Sequence, residues 1–222
     1  MALILNIETA SANCSVALAK DGVLLAIMEE DTPKYSHSEQ LHVFIQDVLT
    51  EAKCDLGELD AIAVSKGPGS YTGLRIGVSA AKGLCFSLNL PLIAIPTLES
   101  MAQQVSGGDF IIPLLDARRM EVYSAVFDRE QHRVRETRAE IVDEHSFKEF
   151  LQKGKAVLLG SGAEKCMEVL SGPNVVFNTK AVPSAREMAS LSYQKFLNKE
   201  FEDVAYFEPF YLKDFLITKK QA

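Results

Sequence analysis

Leu3-Ile4-Leu5-Asn6-Ile7-Glu8 is a β-favouring run that closes on an acid, and Ile111-Ile112-Pro113-Leu114-Leu115-Asp116 does the same in the second half of the chain. Around the first run, residues 15–19 favour another strand and an Asp21-Gly22 turn leads into 23–29, the order of an antiparallel meander. Around the second, residues 121–127 supply the returning strand. Each half then passes from a buried strand into glycines. Residues 61–65 enter Gly67-Pro68-Gly69-Ser70-Tyr71-Thr72-Gly73 ahead of a helical stretch at 74–88, and Val157-Leu158-Leu159 enters Gly160-Ser161-Gly162 and a helix.

Between these units, Ser36 with Glu39 forms a capping-box pattern before a helix whose apolar residues Leu41, Phe44, Ile45, Val48, Leu49 and Ala52 recur at three and four. Residues 92–95 and 97–105 add a strand and a helix, and Ser106-Gly107-Gly108 interrupts the pattern. Ser184 with Glu187 is a further capping box before a helix through Leu197, and 209–212 is a final extended segment. The expectation is two related α/β halves, 1–106 and 107–222, in a duplicated fold with mixed sheets resembling the actin, Hsp70 and sugar-kinase group. A single α/β domain with a helical tail is the alternative. In the duplicated arrangement Glu8 and Asp116 would face each other across a cleft.

The 222 residues are 47% hydrophobic and 24% charged, an ordinary folded composition. With 23 Lys and Arg against 30 Asp and Glu, the net charge of -7 provides no basic field for a phosphate backbone, so nucleic-acid binding by this chain alone is not expected. Cys14, Cys54, Cys85 and Cys166 lack paired spacing and read as reduced structural thiols. No window holds the roughly 18 apolar residues that span a bilayer, and the start of the chain lacks a secretory pattern, so a soluble cytoplasmic protein is expected.

The chemistry-bearing patterns are sparse. Gly67, Gly69, Ser70, Thr72 and Gly73 could offer backbone N–H groups to an anion or nucleotide, with Arg118 as a charged contact. A structural turn explains the same loop. No Lys follows it as in a nucleotide P-loop, and Pro68 removes a donor. The first turn, Glu8-Thr9-Ala10-Ser11-Ala12-Asn13, contains no glycine where kinase-like ATPases carry one. Arg118 and Arg119 also suit a surface turn with Glu121, and Lys213, Lys219 and Lys220 read as solvated charges. His37, His42, His132 and His145 form no metal-ligand pair, and no serine-hydrolase elbow is present.

The helical stretch 74–88 is the most informative feature. Its polar residues Arg75, Ser79 and Lys82 occupy a strip about 60° wide, and most of the rest is apolar or small. Gly73, Gly77 and Ala81 form one ridge of small residues; Ser79, Gly83 and Ser87 form another. Glycine inside a helix costs about 1 kcal/mol against alanine, so close packing is expected on at least one side. Whether that packing is internal or against a partner is open at this stage.

Ile4-Leu5-Asn6-Ile7-Glu8-Thr9, His37-Ser38-Glu39, the stretch from Gly67 through Leu74-Arg75-Ile76-Gly77, Asp116-Ala117-Arg118-Arg119 and Glu208-Pro209-Phe210-Tyr211-Leu212 together resemble the bacterial TsaB (YeaZ) family over nearly the whole chain. The resemblance implies a non-catalytic, cofactor-free scaffold subunit with no catalytic and no metal-binding residue of its own. Its partner would be TsaD, which with the ATPase TsaE installs threonylcarbamoyl, supplied by TsaC-type enzymes as threonylcarbamoyl-AMP, on an adenosine beside the anticodon of tRNAs reading codons that begin with A. It further implies a heterodimer with TsaD, TsaE in a ternary complex, a homodimer when TsaD is absent, and tRNA contact only through the complex. The expected interface, on the first two long helices, comprises His37, Leu41, Phe44, Ile45, Val48, Leu74, Arg75, Ile76, Gly77, Ala80 and Leu84. TsaD carries a metal on a histidine pair, whereas Thr97-Leu98-Glu99-Ser100-Met101 has no histidine. Glu8 replaces the family's usual Asp, Ala10 its serine, Tyr71 its phenylalanine, and Lys213 stands where arginine is frequent. The rival expectation is an independent ATP-dependent kinase or hydrolase using Glu8, Asp116 and the 67–73 loop.

Overall fold

In the computed structural model, which describes residues 1–31 and 37–213, two five-stranded sheets repeat one design. The first contains β1 (Leu3–Glu8), β2 (Asn13–Lys20), β3 (Val23–Asp31), β4 (Ala61–Gly67) and β5 (Leu92–Pro96), in spatial order β3-β2-β1-β4-β5. The second contains β6 (Phe110–Asp116), β7 (Glu121–Asp128), β8 (Arg133–Ile141), β9 (Ala156–Leu159) and β10 (Val175–Asn178), in order β10-β9-β6-β7-β8. Counted within its own half, each sheet runs third, second, first, fourth, fifth. In both, the first three strands pair antiparallel and the fourth lies parallel to the first. This is the duplicated actin-like arrangement that the two repeated runs predict.

β1 is central and buried throughout, so both of its faces need cover. Leu3, Leu5 and Ile7 pack with α1 (His37–Ala52) and α2 (Tyr71–Leu88), whereas Ile4 packs with Ala185 and Met188 around α6 (Met188–Asn198). In the second sheet, Ile112, Leu114, Val122 and Val126 meet Phe147 and Phe150 at α4 (Lys148–Leu151) and Ala163 and Cys166 of α5 (Ala163–Cys166). Its other face, with Ile111, Leu115, Ala125 and Phe127, receives Leu98 and Met101 of α3 (Thr97–Ala102). Two helices thus cross the seam: α3 follows β5 but covers the second sheet, and α6 follows β10 but covers the first.

Several local expectations are corrected. α2 begins at Tyr71, not at Leu74, because the Ser70 side chain accepts the Gly73 N–H at 3.2 Å and so caps the helix three residues earlier. Ser184 does not cap α6; its hydroxyl donates to Glu29 at 2.7 Å and meets Ser15. Ser36, the expected cap of α1, and Lys219 and Lys220 lie outside the described residues. α3 ends at Ala102, and 209–212 runs without regular structure, tied by the Phe210 N–H to Lys66 O at 2.7 Å. β8 and β10 are strands that periodicity does not reveal. β8, Arg-Val-Arg-Glu-Thr-Arg-Ala-Glu-Ile, is a charged edge strand with little to bury, as sheet edges commonly are. No helix among the described residues is long and apolar enough to cross a membrane.

Candidate partner-binding groove

α1 and α2 lie side by side over the first sheet. Leu41, Ile45, Val48 and Leu49 from α1, and Val78, Ala81 and Cys85 from α2, enter the core beneath them. Full burial of each larger aliphatic side chain contributes about 2 kcal/mol, which fixes the rotation of both helices. Their outer surfaces leave a groove of about 750 Å³. His37, Ser38 and His42 line it from α1; Tyr71, Thr72, Arg75, Ile76, Ser79, Ala80, Gly83, Leu84 and Ser87 line it from α2.

This geometry divides the expected interface residues. Leu41, Ile45, Val48, Leu74 and Gly77 are turned into the chain's own core and cannot present side chains to a partner, a correction to their expected placement. Phe44 is half-buried and packs on that core. Ile76, Ala80 and Leu84 are half-buried along the groove, and Arg75 is exposed. Arg75 stacks over the Tyr71 ring at 5.5 Å and donates to its hydroxyl at 3.0 Å, while Tyr71 packs against Tyr211 with centroids 5.0 Å apart. His37 is buried, its Nε2 is 2.8 Å from Ser11 O, and desolvation lowers its pKa.

The two small-residue ridges have different destinations. A Cβ on Gly77 would collide with the Thr9 hydroxyl and one on Gly73 with the Thr9 carbonyl, so this ridge serves internal packing. A Cβ on Gly83 would meet nothing within 4 Å, so the Ser79-Gly83-Ser87 ridge is the open one. Phe86, absent from the expected interface, is 86% exposed. Its signal lies in the sequence: seven residues after Ser79, at 100° each, it returns to the same polar strip.

The 67–73 loop spends much of its polar backbone on the chain itself. Gly67 N–H donates to Thr97 Oγ1 at 3.2 Å, Ser70 N–H to Ala10 O at 2.7 Å, Gly73 N–H to Ser70 Oγ, and Leu74 N–H to Ser70 O at 2.9 Å. Gly69 is packed so closely on Ala10 that a side chain there would strike its backbone. The first turn therefore lies directly against the loop, and the N–H groups of Gly67, Ser70, Gly73 and Leu74 are already bonded within the chain. Thr72 is exposed, and Arg118 donates its N–H to Asp116 Oδ1 at 2.6 Å within its own turn. Nor do Glu8 and Asp116 present a matched acid pair. Asp116 is exposed and ion-paired with Lys165 at 3.0 Å, whereas Glu8 is fully buried and accepts from Ala10 N–H at 2.6 Å and Ser65 Oγ at 2.7 Å. The residues present do not fit a nucleotide or its metal ion. Among the described residues, no group of three or more His, Cys, Asp or Glu is arranged to hold a metal.

Burial raises the Glu8 carboxyl to about 7, against the lowering hydrogen bonds from Ala10 and Ser65. The native state therefore holds this proton through a pH range in which the unfolded chain, with its value near 4.5, releases it. Stability falls as pH rises from about 4.5 through 7, and the full penalty, about 3 kcal/mol, is reached above that. Glu8→Gln, which keeps the acceptor oxygen and removes the ionisation, is expected to melt higher than the wild type near pH 8. The gain should vanish near pH 4, and thermal melts across that range check it.

The fold and the groove define a duplicated actin-like protein whose 67–73 loop packs on its own first turn and whose first helix pair carries an open groove. Comparison with known proteins defines which. A sequence profile described as "TsaD: tRNA N6-adenosine threonylcarbamoyltransferase" matches residues 32–214. The tRNA threonylcarbamoyladenosine biosynthesis protein TsaB of Escherichia coli is 33% identical over 98% of this chain and 97% of its own length. TsaB of Haemophilus influenzae is 30% identical over 98% and 96%. The solved structure of YeaZ from Pseudomonas aeruginosa superposes with a TM-score of 0.83 at 26% identity, covering 96% of this chain and 100% of that one. The chain belongs to the TsaB (YeaZ) family, the non-catalytic partner subunits of the bacterial tRNA threonylcarbamoyladenosine system.

Proposed function

We propose that this chain binds and stabilises TsaD through the α1–α2 groove, helps recruit TsaE to the pair, and pairs with a second copy of itself through the same surface when TsaD is absent. Its role is then to support N6-threonylcarbamoylation of the adenosine next to the anticodon, with tRNA met only through the complex. The observation that carries this reading is the groove itself: Ser79, Gly83 and Ser87 let another helix approach closely, Ile76, Ala80 and Leu84 offer apolar contact, and the exposed ring of Phe86 stands on the same outer strip. A stable contact of this kind buries about 800 Å² on each partner. The division of the chain into halves 1–106 and 107–222 belongs to the same proposal, with the groove carried by the first.

The test is reconstitution of TsaD, TsaE, tRNA and threonylcarbamoyl-AMP with and without the chain. Omission is expected to lower modified tRNA at least tenfold, and undiminished product without it would overturn the reading. The chain by itself should show no nucleotide turnover above a buffer control.

A further inference from the structure

A second cavity, of about 330 Å³, lies apart from the partner groove, where β2 and β3 meet the segment leading into α6. Asn13, Glu29, Asp31 and Glu187 are among its lining residues. Asn13 is only 1% exposed, and its Nδ2 donates to Pro183 O at 2.9 Å. That bond sets the amide's orientation and leaves Oδ1 as an acceptor that no protein donor reaches. Glu187 Oε2 is likewise buried without a donor. Behind them lies Glu8, fully buried, whose Oε1 is taken by Ala10 and Ser65 and whose Oε2 has no donor.

The fold brings these groups together. Glu8 pairs with Ser15 across β1 and β2, and Asn13, two residues before Ser15, shares that face of the sheet. Ser15 Oγ accepts the Ala185 N–H at 3.1 Å and meets Ser184 Oγ at 3.4 Å, which holds the start of α6 over Glu8. The Glu187 charge accordingly acts on Glu8. The result is a set of three buried acceptors that the donors lining the cavity do not reach: the Ser184 hydroxyl is spent on Glu29 and the Gln104 amide on Val182 O. Leaving such groups unpaired in a low-dielectric site is costly, and a cation satisfies several at once. Every acceptor is a hard oxygen, and neither sulfur nor imidazole lines the cavity, a donor set that suits magnesium or calcium rather than zinc or copper. Lys180 and Arg186 also line the cavity; both are exposed, and Arg186 lies 3.9 Å from Glu29.

We propose that this cavity is a divalent-cation site, with Asn13 Oδ1 and Glu187 Oε2 as direct ligands and the Glu8 carboxylate as the buried counter-charge. The ion would join the first sheet to the start of α6. The inference is independent of the partner reading and survives its failure.

Titration of the purified full chain with Mn²⁺ near pH 8, followed by electron paramagnetic resonance, tests it. One Mn²⁺ per chain is expected, displaced by Mg²⁺ or Ca²⁺, with affinity reduced at least tenfold in both Glu187→Gln and Asn13→Ala. Glu187→Gln is close to isosteric, and circular dichroism verifies that each variant is folded. Absence of bound Mn²⁺ up to about 1 mM, the weak end of protein calcium sites, overturns the proposal. Binding that Glu187→Gln leaves unchanged overturns it equally.

Discussion

Gly83→Arg is expected to weaken association with TsaD at least a hundredfold while raising, not lowering, the melting temperature of the isolated chain. Both halves of that expectation come from one observation, that a side chain begun at Gly83 meets nothing of its own molecule within 4 Å. Glycine in an exposed helix interior is disfavoured by up to about 1 kcal/mol against a good helix former, and arginine is one. For a chain of this size that gain moves the melting point by roughly 2–4 °C. The same side chain fills the open ridge between Ser79 and Ser87, where a partner helix must come close, and a hundredfold loss corresponds to about 3 kcal/mol. Gly83→Ala separates the effects: it keeps the helical gain but adds only a methyl group, so binding should fall far less. Titration calorimetry against TsaD, with melting curves on the same preparations, checks both. A Gly83→Arg chain that binds TsaD normally would remove the groove from the interface.

Gly77→Ala, six positions earlier on the same helix, is expected to do the opposite. It should cost about 3 kcal/mol of stability, at the upper end for overpacking a filled core, despite alanine's better helix propensity. The methyl group would be driven into the hydroxyl of Thr9, which is fully buried and donates to Gly73 O at 2.8 Å. Thr9 has no room to retreat, since the first turn is also fastened to the loop by the Ser70 N–H on Ala10 O. Denaturant titration measures the loss, and any fall in TsaD binding should track the unfolded fraction. If Gly77→Ala proved as stable as the wild type and yet failed to bind, Gly77 would belong to the interface after all and the assignment of the two ridges would be reversed.

These paired substitutions show where reading residues in order stops being informative. Gly77 and Gly83 both appear as small residues in an apolar helix, and helical periodicity places each relative to its neighbours without saying which side meets the sheet. Thr9, the residue that decides the matter, lies more than sixty positions away. The same limit hides the fate of the 67–73 loop. Its glycines are equally compatible with a phosphate cradle, and only the tertiary structure shows Gly69 packed on Ala10 and the Ser70 N–H spent on the Ala10 carbonyl. Ser184 illustrates it again: a capping pattern beside a helix was outcompeted by Glu29 and Ser15 from the other end of the chain. Phe86 was legible in principle, because its angular position follows from Ser79 alone, yet it is absent from the expected interface.

What the amino-acid order determined by itself was local and repetitive: two apolar runs ending on acids, a meander after the first and a returning strand after the second, a glycine-bearing turn before a helix, and a net negative charge that provides no overall basic field. Those features depend on nearest-neighbour sterics and on periodicity, which a linear chain carries. The tertiary structure alone decided which helix face is open, which sheet α3 and α6 cover, and that Glu8 is sealed within the molecule while Asp116 meets solvent. Each of these rests on contacts between segments distant in sequence, and packing density, not pattern, determines whether such contacts leave space for a partner.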